Sequence, residues 1–249
     1  MKPLSDLIKV LPDAKVEEIG KCEKCNKIKY IIDDVEVGCD CNLIEESIND
    51  IRKQKAIAFD KQSVITNIYR QKRLRDYNAV TDEQKRAKQV AVDYITNFKT
   101  HLEKGNNLLF LGTFGTGKTH IAASIRNELA RQNYKVYYTS FPEYLDRIKS
   151  EFNSNEVSDQ YKIKRMMSEC ELLVIDDIGA NRLTGFATDE LFRITDARSG
   201  KCTIYTTNLN ESDFESNYDL QRVYSRMLEN TKLLKVVGKD YRREQANDY

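Results

Sequence analysis

Residues 112–119 read GTFGTGKT, and the fold of the chain turns on what this octapeptide does to its backbone. Upstream lies NLLFLG (residues 107–112), an apolar run of strand length, and downstream HIAASIRNELARQ (residues 120–132) reads as a helix. A strand, a glycine-rich turn and a helix opening on Lys-Thr bring backbone N–H groups together at the positive end of a helix, where a phosphate is bound. Gly112, Gly115 and Gly117 let the loop curl. Lys118 is placed to reach the β- and γ-phosphate oxygens of ATP, and the Thr119 hydroxyl to ligate Mg²⁺. The expected nucleotide contacts are Gly112, Thr113, Phe114, Gly115, Thr116, Gly117, Lys118, Thr119 and His120, although the His120 side chain also reads as an ordinary helix residue. A glycine-rich turn that spells the motif by chance would lack the flanking strand and helix.

Two further stretches complete a nucleotide site. ELLVIDDIG (residues 171–179) is an apolar strand that delivers Asp176 and Asp177 at its carboxyl end, the edge of a parallel sheet where ligands bind. Asp176 is expected to hold Mg²⁺ and Asp177 to orient the attacking water. Asp177 is one methylene shorter than the glutamate usual at this place, which points to slow, switch-like hydrolysis. CTIYTTN (residues 202–208) is a strand ending in Asn208, a polar side chain positioned to touch both that water and the γ-phosphate. Strands recurring between helical stretches such as 82–98 and 188–199 predict an α/β fold, a central parallel sheet flanked by helices.

Composition narrows the class. The 249 residues are 40% hydrophobic and 32% charged, with 40 Lys+Arg against 39 Asp+Glu, so any nucleic-acid contact must use a local basic surface. No stretch is long and apolar enough to cross a membrane. The opening MKPLSDLIKVLPDAK carries Asp6 within its apolar part and does not read as a signal peptide. The expectation is a cytoplasmic protein whose cysteines are reduced unless a metal holds them. Four of the six cysteines fall in CEKC (Cys22, Cys25) and CDC (Cys39, Cys41), separated by KIKYIIDDVEVG, which reads as a hairpin. Four thiolates in two tight pairs suit one tetrahedral Zn²⁺; an Fe–S cluster or a redox pair are the alternatives. Leu43, Ile44, Ile48 and Ile51 recur at helical spacing after them. The expected organisation is a zinc-binding, partly helical N-terminal domain (1–60), a basic linker (61–75) and an ATPase domain (76–249). The linker has two readings, a solvated connector or a partner- or phosphate-facing arm.

Absences sort the P-loop classes: no NKxD guanine-reading motif, no LSGGQ, no series of helicase motifs. Beyond the asparagine strand come YDLQRVYSRML (residues 218–228) and KDYRRE (residues 239–244). The order GTFGTGKTH, SFPEYLDRIKSEF, LLVIDDIG, YTTN, QRVYSRML, DYRRE resembles the bacterial and phage replicative helicase loaders of the DnaC/DnaI type, within the AAA+ ATPases, and the related IstB-type transposition ATPases. That resemblance implies an arginine finger acting in trans at Arg226, with Arg222 the second choice, and a sensor arginine acting in cis at Arg242. It also implies an element touching single-stranded DNA, for which Lys149 and Phe152 are the candidates. The same residues also fit a helix packed on the core through Phe141, Leu145 and Ile148. By the resemblance the protein is a slow ATPase that self-associates through its ATP sites, docks on a hexameric DnaB-type helicase and delivers it to single-stranded DNA. The alternative is a transposition regulator assembling on duplex DNA.

Overall fold

A computed structural model describes residues 15–151, 158–181 and 183–243. Phe152 lies outside these described residues. The chain divides into two units between Arg52 and Lys53.

In the first unit three strands form an antiparallel sheet in the order β1 (Val16–Lys21), β2 (Ile28–Ile32), β3 (Val35–Val37). The hairpin joining β2 to β3 turns on Asp33 and Asp34, both left-handed (φ 46° and 66°), the backbone that a two-residue hairpin turn demands. Helix α1 (Cys41–Gln62) begins at the last cysteine of the cluster. The helical spacing of Leu43, Ile44, Ile48 and Ile51 is real, yet all four side chains are exposed by more than half.

The second unit is built on a five-stranded sheet, in which β4 (Asn107–Leu111), β5 (Val136–Ser140), β6 (Leu172–Ile178), β7 (Cys202–Thr207) and β8 (Thr231–Lys235) pair in parallel in the order β5-β6-β7-β4-β8. Covered on both faces, its central strands have near-continuous apolar sequences. Alternate residues serve opposite cores. Leu108 and Phe110 pack with Ala87, Ala91 and Tyr94 of α3 (Asp82–Thr96) and with Ile121, Ile125 and Leu129 of α5 (Lys118–Arg131). The short helices α2 (Asn67–Arg70) and α4 (Phe98–Lys104) flank α3 in sequence. Leu109 and Leu111 pack on the other side with Phe141, Leu145 and Ile148 of α6 (Phe141–Glu151) and with helices α8 (Gly185–Ala197) and α10 (Tyr218–Met227). Between them lie α7 (Ser158–Glu169), which the sequence reading did not anticipate, and the single turn α9 (Glu211–Phe214).

Residues 59–72, the end of the expected N-terminal domain and most of the expected linker, pack within the second unit. Phe59 joins the core, and Val64 N–H donates to the Tyr138 carbonyl (2.8 Å), extending the β5 edge. Asp60 accepts from Arg126 and from Arg70 Nη1 (3.2 Å), and Asn127 Nδ2 donates to the carbonyls of Tyr69 (2.7 Å) and Lys72 (3.0 Å). Composition alone left this segment as a solvated connector or a partner- or phosphate-facing arm, because Asp60 and Arg126 lie 66 residues apart and only folding pairs them.

The Arg126 side chain is only 3% exposed, so removing its carboxylate strands a buried cation, at a cost on the order of 3 kcal/mol. A chain beginning at Lys53 should therefore resist urea better than one beginning at Asp76 by about that amount. Equal unfolding midpoints for the two would show that the segment contributes nothing.

Candidate functional site

At the carboxyl edge of the sheet, β4 runs into the glycine loop and α5 starts at Lys118. Gly112 cannot carry a side chain, since a Cβ there would sit 2.0 Å from the Val236 carbonyl oxygen. Gly117 is left-handed (φ 96°), and a Cβ would strike the Tyr77 ring at 2.3 Å. The chain after β8 and the segment before α3 thus both lie against the loop. Tyr77 Oη donates to the Thr116 carbonyl (2.8 Å), and Tyr241 N–H donates to the Gly115 carbonyl (3.2 Å).

Lys118 is buried at 5% exposure. Its ammonium directs three donors to the Gly112 carbonyl (2.9 Å), the Thr113 carbonyl (2.7 Å) and Asn208 Oδ1 (2.6 Å). Burial lowers its pKa to about 8 against the opposing pull of Asp177 and Asp176. The loop amine, the end of β7 and the acidic pair are therefore one cluster. Thr116 is buried and Phe114 is exposed. The His120 imidazole is engaged elsewhere, with Nε2 3.0 Å from the Arg73 carbonyl oxygen.

Asp176 is 2% exposed and is held by three hydroxyls: Thr119 (3.1 Å to Oδ1), Tyr138 (2.5 Å to Oδ2) and Thr206. Burial raises its pKa to about 6, with the Asp177 charge pushing the same way. The strand kinks here. The β6–β7 register shifts between Ile175 and Ile178, and Asp177 adopts φ 56°, a left-handed conformation that costs a non-glycine residue about 1 kcal/mol or more. Asp177 N–H donates to Thr206 Oγ1 (2.9 Å). The bulge breaks the alternation that would otherwise send neighbouring side chains to opposite faces. A threonine hydroxyl touching a buried carboxylate, next to a lysine among loop carbonyls, is a donor set that fits Mg²⁺ and a nucleotide triphosphate.

The arginines part company. Arg242 Nη2 lies 3.3 Å from Tyr69 Oη, and its charge is among the causes that depress Lys118, which puts it beside the loop. Arg226 sits near the end of α10, a few residues before β8 begins, and pairs with Asp196 at 3.4 Å. That is the amino edge of the sheet, about 16 Å of strand from the phosphate loop. Arg222 is stacked over Phe192, 4.6 Å from the ring centroid. Lys149 is exposed, with Nζ 5.8 Å from the Phe186 ring centroid.

In the first unit Cys22, Cys25, Cys39 and Cys41 bring their sulfurs within 4.8 Å of one another, with Cys39 Sγ 3.2 Å from Cys22 Sγ and 3.4 Å from Cys25 Sγ. Sulfurs on a tetrahedral zinc stand about 3.8 Å apart, given a bond near 2.3 Å. Cys41 N–H donates to Cys39 Sγ (3.3 Å). The cluster fits one zinc ion.

Residues 42–248 match the family model described as IstB-like ATP binding protein. The chain belongs to that family. It is 29% identical over 160 residues to the insertion sequence IS232 putative ATP-binding protein of Bacillus thuringiensis subsp. berliner, covering 62% of each chain. It is 27% identical over 152 residues to the replicative helicase loader DnaC of Buchnera aphidicola subsp. Baizongia pistaciae, covering 60% of this chain and 61% of that one. The match thus spans about three fifths of each of these relatives. The crystal structure of a DnaC helicase loader superposes with a TM-score of 0.59 at 26% identity, over 69% of this chain and 99% of the other. The architecture is an AAA+ P-loop fold, and the family is ATP-binding.

Sequence reading missed Tyr138 and Tyr77. Both look like core aromatics, and only the structure shows their hydroxyls reaching Asp176 and the loop.

A carboxyl held near 6 instead of 3.8 is disfavoured as an anion by the fold. The penalty is absent below about pH 4, sets in between 4 and 6, and reaches about 3 kcal/mol above that. In Mg²⁺-free buffer, Asp176→Asn should raise the thermal midpoint at pH 7.5 and lose that advantage at pH 4. A stabilisation independent of pH would contradict the buried-charge account.

Proposed function

We propose that this chain is an ATP-dependent helicase loader that binds a hexameric DnaB-type helicase and delivers it to single-stranded DNA. The observation carrying this reading is the likeness to the DnaC loader structure, which extends over 99% of that chain. The cysteine-bearing unit supports it as a docking module, since a bound metal would supply folding energy to a block with little core of its own.

In this reading Lys118 exchanges its loop-carbonyl and Asn208 partners for phosphate oxygens, so ATP arrival is reported directly to the end of β7. Thr119 and Asp176 would hold Mg²⁺, which when bound neutralises charge on the phosphates. Asp177 orients the attacking water, Asn208 senses the γ-phosphate and Arg242 acts on the same chain's nucleotide. Arg226, at the opposite edge of the sheet from its own loop, serves the site of a neighbouring copy. Self-association then completes each site, and hydrolysis releases the loader. Lys149 contributes to strand binding, and the protein works in the cytoplasm.

The IS232 relative supports a second reading, a regulator that assembles on duplex DNA and serves a transposase. Native mass spectrometry separates the two. The full chain, mixed with a hexameric DnaB-type helicase and ATP, should give a defined complex that disappears when residues 1–52 are deleted, and its mass should include one zinc per chain. No complex with either chain, together with ATP-dependent assembly on duplex DNA, would replace the loader by the transposition regulator.

The finger has its own test. Arg226→Ala should lower ATP hydrolysis by a factor on the order of 10³. Adding Lys118→Ala chains, which keep Arg226 but lack the loop lysine, should restore part of it. No restoration would place the arginine's action within one chain.

A further inference from the structure

Behind the phosphate loop, a cavity of about 460 Å³ opens between α5 and the turn at Leu74–Asp76. It lies in the basic stretch for which sequence left a connector and a phosphate-facing arm as alternatives. Three arginines line it: Arg73 and Arg75 from the turn, and Arg131 from the end of α5. They are unequally satisfied. Arg131 pairs with Glu128, which also lines the cavity, and Arg75 pairs among the described residues with its neighbour Asp76 (3.5 Å), with 84% of its side chain exposed. Arg73 forms no ion pair among the described residues.

The walls are mixed. Leu74 and Ile95 supply an apolar side. Ser124 lines the cavity too; it is 2% exposed, and its hydroxyl has no hydrogen-bond partner among the described residues. Buried hydroxyls nearly always have one, so an unpartnered hydroxyl beside a cavity points to a ligand atom. The arginine-bearing turn is fixed in place: His120 meets the Arg73 carbonyl at 3.0 Å, and Asn127 donates to the Lys72 carbonyl. The site is not the phosphate loop. Ser124 lies six residues beyond Lys118, about 9 Å along α5.

Guanidinium forks match phosphate oxygens, a volume of a few hundred Å³ is that of a small-ligand site, and an apolar wall accepts a flat ring. Glu128 is left to accept from a base amino or ribose hydroxyl group. We propose that this cavity is a second phosphate-ester site that takes one nucleotide unit, with the phosphate on Arg73, Arg75 and Arg131 and the base against Leu74 and Ile95. The unit comes either from a nucleic-acid strand or from a free mononucleotide.

The test titrates the full chain, with its phosphate loop saturated by a non-hydrolysable ATP analogue and Mg²⁺, against two probes. One is a fluorescein-labelled 20-nucleotide oligothymidylate, followed by anisotropy at several salt concentrations. The other is AMP, which lacks the β-phosphate the loop requires, followed by calorimetry. The comparison chain carries Arg73→Ala, Arg75→Ala and Arg131→Ala together. Its thermal midpoint and its affinity for a fluorescent ATP analogue report that the fold and the loop are intact. A strand occupant predicts at least a tenfold loss of oligothymidylate binding and a salt slope shallower by about two to three. A free-nucleotide occupant predicts one-to-one AMP binding that the triple variant loses. Ser124→Ala, which removes only the hydroxyl, should weaken the responding probe a few-fold. Two results overturn the proposal: neither probe binds the parent chain, or both bind the triple variant as well as the parent. A loss of strand binding in Lys149→Ala but not in the triple variant would assign the strand to the α6 surface instead. None of these outcomes depends on a helicase, so the loader reading and this site stand or fall separately.

Discussion

Everything at the sheet's carboxyl edge is arranged around one buried carboxylate. Asp176 is almost inaccessible to water, and a bare anion in such a place is costly unless its lone pairs are met. Its partners come from three directions: Thr119 from the first turn of α5, Tyr138 from β5 and Thr206 from β7. The strand order places β6 between β5 and β7, so both neighbours can reach the same side chain. Even with three hydroxyls on it, the carboxyl remains hard to ionise, because hydroxyl dipoles do not replace a cation. The site is therefore assembled at the expense of stability, as expected where charge must be ready for a ligand.

The same constraint explains Asp177. Continuing the strand regularly would have turned this residue away from its predecessor. A left-handed backbone and a shifted register instead keep both acids at the edge, with the Asp177 amide tied to Thr206. Thr206 thus serves both acids through one hydroxyl, accepting from one amide and donating to one carboxylate. Its neighbour Thr207 turns the other way, donating to the Ile178 carbonyl (2.7 Å) and closing the bulge from the far side.

Much of this was legible in the chain. The loop shows because its glycines answer steric demands that no other residue meets, and the acidic pair shows because an apolar run ending in two carboxylates has few other uses. The sheet shows because its strands, covered on both faces, are apolar throughout. The hidden parts depend on partners distant in sequence. Tyr138 reads as one more aromatic in KVYYTS, and nothing local announces a hydroxyl aimed at Asp176. Asp60 reads as a lone acid in a basic run, when it is the counter-ion of a buried arginine. The stripe Leu43–Ile51 misled in the opposite sense: its period gave the helix correctly, but period alone does not say whether a face is covered.

The positions of the two arginines bear on how the site works. Arg242 lies on the segment folded back over the loop, whose Asp240 and Tyr241 pack against Gly115. It reaches the nucleotide region of its own chain by local geometry. Arg226, at the opposite edge, is held by carboxylates, Asp196 and more distantly Glu229 at 4.0 Å. Half-exposed ion pairs of this kind are weak, worth about 1 kcal/mol or less, so they orient the guanidinium without trapping it. In the proposed assembly, a γ-phosphate presented by an adjacent copy, carrying more charge in a drier setting, would compete easily with such partners. An arginine loosely held at the edge of the sheet opposite its own loop is what the proposed ATP-conditional assembly requires of a residue that would act on a neighbouring chain.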